Sequence, residues 1–225
     1  MIWDVREYGS VDSTNLEARR LLDAGAGPGL VVWARHQTAG RGRLGRGWHD
    51  LPGKSLMVSV ALELGEAFLA GIAVALAARA AVRRGGGKGP AFKWPNDLVY
   101  GDRKVGGILS ERCGSAPELL VVGLGLNVGY RAEEMTFETR MPATSLLVEE
   151  GRDWDVGSLL GDVLGELEAG LSQEKGELLE EYRSGLAYLG ETVLVNPPCA
   201  VLGKTAQATA GGPLRGIMEG VDDEG

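Results

Sequence analysis

Residues 36–54, from His36 to Lys54, form a glycine- and arginine-rich stretch with no apolar face. Short apolar runs flank it, at Leu30-Val31-Val32-Trp33-Ala34 and at residues 55–64, and both read as buried strands. Two strands joined by this long, largely polar loop do not make a regular βαβ unit, whose crossover would be an amphipathic helix. The stretch carries two decoy motifs. Gly40-Arg41-Gly42-Arg43-Leu44-Gly45 matches GxGxxG after a strand, but Arg46-Gly47-Trp48-His49-Asp50-Leu51-Pro52 will not open the helix a dinucleotide site needs. Gly53-Lys54-Ser55 resembles the end of a P-loop, yet the first glycine would have to stand at Trp48, and a strand follows instead of a helix.

The rest of the chain punctuates as helices and strands in irregular order. Thr14 and Glu17 form a candidate capping box for a helix over residues 13–24, which Gly25 stops. Residues 66–84 are an Ala-rich helix. Its greasiest part, residues 67–78, is too short to cross a bilayer. Strands are expected at residues 91–94 and 119–126, with a hairpin of residues 98–100 and 104–110 around Gly101-Asp102. Residues 131–191 hold 15 acidic and 5 basic residues, while Leu159, Leu160, Val163, Leu164, Leu167 and Leu171 recur at helical spacing, so the acids decorate a solvated face. Short β-like pieces at residues 192–195, 206–209 and 216–218 then suggest a small β module. These patterns predict an α+β fold with a mixed central β-sheet flanked by helices, a main domain over residues 1–187 and the module over residues 188–225.

A net charge of −8 argues against non-specific nucleic-acid binding. Cys113 and Cys199 form no metal or disulfide motif, and the N-terminus has no signal-peptide pattern, which suits a cytoplasmic protein. Against that acidic background Arg41, Arg43 and Arg46, spaced by glycines, point to an anion site, because guanidinium forks pair with carboxylate or phosphate and glycine lets backbone N–H groups approach. Lys93-Trp94-Pro95-Asn96-Asp97 gathers an amine, an amide and a carboxylate at one strand end. Lys104 lies across the hairpin, next to Gly106-Gly107. Glycine makes up 36 of the 225 residues, more than twice the usual ~7 %, and several of these glycines fall in such clusters.

Five segments in this order resemble the biotin protein ligases: Ser13-Thr14-Asn15; Gln37 through Trp48; Lys93 through Asp97; Arg103-Lys104-Val105-Gly106-Gly107-Ile108-Leu109; and Gly123-Leu124-Gly125-Leu126-Asn127-Val128. The resemblance runs from about residue 8 to 220. It implies the class II aminoacyl-tRNA synthetase-like fold of that family with an SH3-like C-terminal module, here incomplete. It leaves no room before Ser13 for the DNA-binding winged helix of some relatives.

The implied chemistry joins biotin to ATP as biotinyl-5′-AMP, then transfers biotin to a lysine of a biotin carboxyl carrier protein. The resemblance assigns Lys104, Arg41 and Asp97 to catalysis. It assigns Ser13, Thr14, Asn15, Gln37, Gly40, Arg41, Gly42, Arg43, Lys104 and Gly107 to biotin. Arg43, Arg46, Trp48, Lys93, Asn96 and Asn127 fall to ATP, with Mg²⁺ carried on its phosphates near Asn96 and Asp97. No membrane or nucleic-acid partner is implied, and a homodimer is left open. The alternatives are a lipoate or octanoate ligase or transferase of the same superfamily, or a non-catalytic biotin-binding module.

Overall fold

In the computed structural model, which describes residues 2–114, 117–136, 139–195 and 214–223, the apolar runs and one polar edge strand join as one seven-stranded sheet. Its strands are β1 (Asp4–Tyr8), β2 (Leu30–Ala34), β3 (Ser55–Leu62), β4 (Ala91–Lys93), β5 (Asp97–Tyr100), β6 (Arg103–Arg112) and β7 (Leu120–Asn127). The spatial order is β1-β2-β3-β7-β6-β5-β4. β1 and β2 are parallel and every other pair is antiparallel. The sheet is therefore mixed, as the irregular element order implied.

Five α-helices accompany the sheet: α1 (Thr14–Asp23), α2 (Ala67–Arg84), α3 (Leu146–Glu150), α4 (Val156–Gly170) and α5 (Lys175–Ser184). Alanine-rich α2 needs little side-chain entropy to become helical, and Arg83 and Arg84 in its last turn complement the helix dipole. It packs with α4 and α5 on one face of the sheet. There Leu56, Val58, Val60 and Leu62 of β3 meet Leu120, Val122, Leu124 and Leu126 of β7 in the main core. The predicted helical stripe of α4 buries Leu159, Leu160, Val163, Leu164 and Leu167 in that core. Glu166 turns away to pair with Arg84 at 2.8 Å.

The other face of the sheet is only partly covered. Ala18 and Leu22 of α1 close a small cluster with Leu30, Val32, Ala61 and Val121. Beyond it, alternation turns Ser59, Gly107, Gly123, Gly125 and Asn127 to the same side. Ser59 pairs across the strands with Gly123, Gly107 with Gly125, and Ser55 with Asn127. Three neighbouring strands thus present hydroxyls, one amide and bare backbone, which makes a trough.

Several elements differ from the expectations. β1 was not anticipated, because Asp4-Val5-Arg6-Glu7-Tyr8 has no buried face; it is an exposed edge strand held by its backbone pairing to β2. α5 is an additional helix that buries Leu178, Leu179 and Tyr182. The Thr14–Glu17 capping box does not form. Ser13 is the N-cap without a side-chain cap bond, the Thr14 hydroxyl is used inside the trough, and Glu17 pairs with Arg20 at 2.9 Å. After Ala187, whose N–H donates to the Phe92 carbonyl at 2.8 Å, strands β8 (Thr192–Val195) and β9 (Leu214–Ile217) form a two-stranded antiparallel sheet. The expected piece at residues 206–209, and Cys199, lie outside the described residues.

Candidate active site

A cavity of about 430 Å³ occupies the trough, a size suited to a small-molecule ligand. Its closed end is built by the start of α1. Thr14 donates both its N–H (2.7 Å) and its hydroxyl (3.0 Å) to Gln37 Oε1. The fully buried Ser59 hydroxyl lies 2.8 Å from Thr14 Oγ1 and 2.6 Å from Asn15 Oδ1. The Asn15 amide donates to the Leu109 carbonyl (3.2 Å) and to Glu111 Oε2 (2.9 Å). Asn15 fits only because residue 123 is glycine, since a Cβ there would stand 2.2 Å from Asn15 Oδ1.

The glycine-arginine loop arches over the middle. His36 Nδ1 and Asp50 Oδ2 clasp its two stems at 2.9 Å. The second stem is fixed by the Leu51 N–H, which donates to Tyr130 Oη at 2.7 Å, while that hydroxyl also meets Ser55 Oγ at 2.9 Å. Burial pushes the Tyr130 hydroxyl above its ordinary pKa, so it stays protonated. Within the loop Arg41 bridges to Gly47, and the Trp48 N–H donates to the Gly40 carbonyl at 2.9 Å. Leu44 adopts a left-handed backbone (φ 59°), followed by Gly45 at φ 72°. The Trp48 ring lies on bare backbone at Gly125, where a Cβ would come within 2.7 Å of it.

At the open end Lys104 Nζ donates to Asp97 Oδ1 at 2.5 Å and stands 6.0 Å from the Trp48 ring centroid. Lys93 Nζ faces the other Asp97 oxygen at 3.8 Å. Asn96 ties its turn to β6, giving and receiving 2.9 Å hydrogen bonds with the Ile108 backbone. Asn127 donates its amide to the Thr144 carbonyl at 2.9 Å. Its Oδ1 is buried and has no partner among the described residues, so an acceptor is waiting for a donor.

Of the residues singled out from the sequence, Ser13, Thr14, Asn15, Gln37, Arg41, Gly42, Arg43, Arg46, Trp48, Asn96, Asp97, Lys104, Gly107 and Asn127 line this one cavity. Gly40 and Lys93 do not. Gly40 serves loop closure, since a Cβ there would stand 2.8 Å from the Trp48 carbonyl, and Lys93 supports Asp97 from outside. Ser59 and Glu111 take part in the closed-end network without having been anticipated. Thr139, Arg140, Met141 and Ala143 also line the cavity. No motif marks them. They arrive because Lys104 N–H donates to the Pro142 carbonyl and Thr144 N–H to the Lys104 carbonyl, both at 2.8 Å. The donor set does not suit a resident metal ion: among the described residues no three His, Cys, Asp or Glu groups converge, and both Asp97 oxygens face lysines.

The profile of the biotin/lipoate A/B protein ligase family matches residues 9–127. The chain is also 32% identical over 231 residues to the biotin–[acetyl-CoA-carboxylase] ligase of Mycobacterium tuberculosis, a match covering 95% of this chain and 78% of that protein. The chain belongs to the biotin/lipoate A/B protein ligase family. This ligase-family chain is 31% identical over 160 residues to the bifunctional ligase/repressor BirA of Bacillus spizizenii, which covers 68% of it but 49% of that relative; it spans about half the relative's length. The biotin protein ligase from Aquifex aeolicus, solved in complex with biotin and ATP, superposes with a TM-score of 0.80 at 29% identity, over 99% of this chain and 89% of that one. The family chain therefore has the biotin protein ligase fold. None of its described helices is long and apolar enough to cross a membrane.

Proposed function

We propose that this chain is a biotin–[biotin carboxyl carrier protein] ligase that works through biotinyl-5′-AMP. One observation carries the reading: a single cavity runs from the polar closed end at Thr14, Asn15 and Gln37, which Ser59 backs, past Lys104, to the unpartnered acceptor of Asn127. The closed end offers donors and acceptors to the ureido ring of biotin, with Ser13 and the bare backbone of Gly107 beside the ligand. Lys104 and Arg41, with Arg43, Arg46 and the loop N–H groups around Gly40 and Gly42, meet the biotin carboxylate and the ATP phosphates. Trp48 walls the nucleotide, and Asn127 Oδ1 accepts from the adenine amine.

In the first step a carboxylate oxygen attacks the α-phosphorus, the bond to pyrophosphate breaks, and an acyl-phosphate anhydride forms. Two anions must meet, so cationic donors placed where charge accumulates lower the barrier. In the second step the acceptor lysine nitrogen attacks the acyl carbon, the bond to AMP breaks, and the amine loses a proton. Asp97, held between Lys93 and Lys104, orients that amine and, as the one carboxylate among the described cavity-lining residues, takes its proton. Magnesium would come with ATP as part of the substrate, near Asn96 and Asp97. The glycine-arginine loop closes over the adenylate and shields it from water.

Residues 1–187 form the catalytic unit in this reading, with residues 188–225 as a separate module. The acceptor is a lysine on a carrier domain, and the setting is cytoplasmic. The net charge of −8 supports a ligase that makes no nucleic-acid contacts. A homodimer is compatible with this reading but is not required by it. The lipoate or octanoate alternative is disfavoured by the closed end, because an apolar dithiolane or alkyl tail would leave buried polar groups unpaired. A biotin-binding module without catalysis would not require Lys104 in the cavity. Biotin-dependent exchange of labelled pyrophosphate into ATP is the expected activity. Absence of exchange in the folded protein refutes the proposal, and calorimetric binding of lipoate in preference to biotin would favour the alternative.

A further inference from the structure

Glu111 is the last trough-facing side chain of β6, two residues beyond Leu109 and four beyond Gly107. Its carboxylate faces two parts of the site at once. Oε2 accepts from the Asn15 amide at 2.9 Å, and Oε1 faces Arg41 Nη2 at 3.4 Å. Its side chain is 20% exposed, against 43% for Arg41. Among the described residues Arg41 is the one loop arginine that makes an ion pair. A carboxylate at this position opposes any anionic ligand nearby, so without Arg41 it would work against the site.

These contacts complete a chain of polar side chains: Gln37 to Thr14, Thr14 to Ser59, Ser59 to Asn15, Asn15 to Glu111, and Glu111 to Arg41. We propose that Glu111 is a positioning residue that relays occupancy of the closed end to the loop. A urea-like group bonded there holds Asn15, Asn15 holds the Glu111 carboxylate, and the carboxylate holds the Arg41 guanidinium over the mouth. Filling one end of the cavity thereby orders the loop at the other, before any phosphate arrives. The inference rests on the ligase reading and deepens it: ligand recognition and loop closure are joined through one side chain.

The test compares the wild-type chain with Glu111→Gln, which keeps an acceptor for Asn15 but loses the ion pair, and with Glu111→Ala, which loses both. Trypsin cleavage after Arg41, Arg43 and Arg46 is followed without biotin and at biotin concentrations saturating for each variant, with affinity measured separately by calorimetry. Saturating biotin should slow wild-type cleavage by about fivefold or more, the lower end of ordinary site-to-site coupling. In Glu111→Gln that protection should fall to nearly none, and biotin affinity should weaken by about the same factor, roughly fivefold, because coupling between two sites is reciprocal. Pyrophosphate exchange at saturating biotin should lose kcat, beyond a rise of about fivefold in the KM for biotin. Full protection in both variants overturns the inference, as does a Glu111→Gln variant that keeps wild-type kcat. Absence of exchange in the wild type overturns the ligase reading, and the inference with it.

Discussion

The tightest geometric demand in the site falls on Gly123, and Gly123→Ala tests it. The added methyl would stand 2.2 Å from Asn15 Oδ1, at least about 1 Å short of a normal contact. Asn15 is 4% exposed and has little room to retreat, because its amide bonds the Leu109 carbonyl and Glu111 while its oxygen bonds Ser59. Overpacking of this kind costs about 1–3 kcal/mol, and each displaced hydrogen bond adds about 1 kcal/mol. A loss of about 2–4 kcal/mol in unfolding free energy is therefore expected from denaturant titration, a large share of a typical domain's stability. Because Asn15 also lines the cavity proposed to take biotin, biotin binding should weaken by about 2 kcal/mol, or roughly thirtyfold, by calorimetry. The argument fails if the variant unfolds within about 0.5 kcal/mol of wild type, the ordinary range for a neutral change, and binds biotin normally.

Gly161→Ala is the matching control, since that exposed glycine sits inside α4 with nothing within 4 Å of an added Cβ. It should stabilise the fold by about 0.5–1 kcal/mol in the same titration and leave exchange unchanged. Lys104→Met keeps the aliphatic stem and removes the charge. Pyrophosphate exchange should fall by about 10²-fold or more while biotin still binds, and exchange at the wild-type rate would remove Lys104 from catalysis. Tyr182, stacked on Phe92 at 4.9 Å, has its hydroxyl pushed up to about 12, mainly by burial. Its neutral form is favoured in the folded state, so the associated stability is fully present below pH ~10 and is lost as pH rises through about 12. Tyr182→Phe should flatten that part of the stability profile by about 2–3 kcal/mol, and an unaltered alkaline slope would contradict the assignment.

The elements with a repeating apolar face were legible in the sequence. β2 matches its expected bounds, β3 ends two residues early, and the α4 stripe is buried except for Leu171, which falls just past the helix end and is half-buried. Elements held by backbone pairing alone were not legible. β1 exposes nearly every side chain, so no pattern distinguishes Asp4-Val5-Arg6-Glu7-Tyr8 from a loop. The same division runs through the site. Residues within dense motifs, such as Arg41, Asp97 and Lys104, could be singled out because their types are unusual where they stand. Thr139, Arg140, Met141 and Ala143 reach the cavity through a main-chain bridge between Lys104 and Ala143, which leaves no trace in side-chain identity. The supposed capping box shows the opposite error. Thr14 has the right residue type at the right spacing, but a pocket 23 residues further along the chain, at Gln37, takes its hydroxyl.

Glu111 and Ser59 expose a subtler limit, and it bears on how such a trough is specified. Along β7 the order Gly123-Leu124-Gly125-Leu126-Asn127 alternates small or polar with large, which in a strand means one face in a core and one face stripped. The partner strands repeat that logic in register: Ser59 stands opposite Gly123, and Gly107 opposite Gly125. A glycine on the stripped face is informative only with knowledge of what approaches it, Asn15 at one position and the Trp48 ring at the next. Ser59 and Glu111 on that face hold Asn15 in place. Glu111 sits two alternations beyond the Gly107–Gly125 pair, opposite Val121, so its two contacts join the parts of the site that the bare backbone keeps apart.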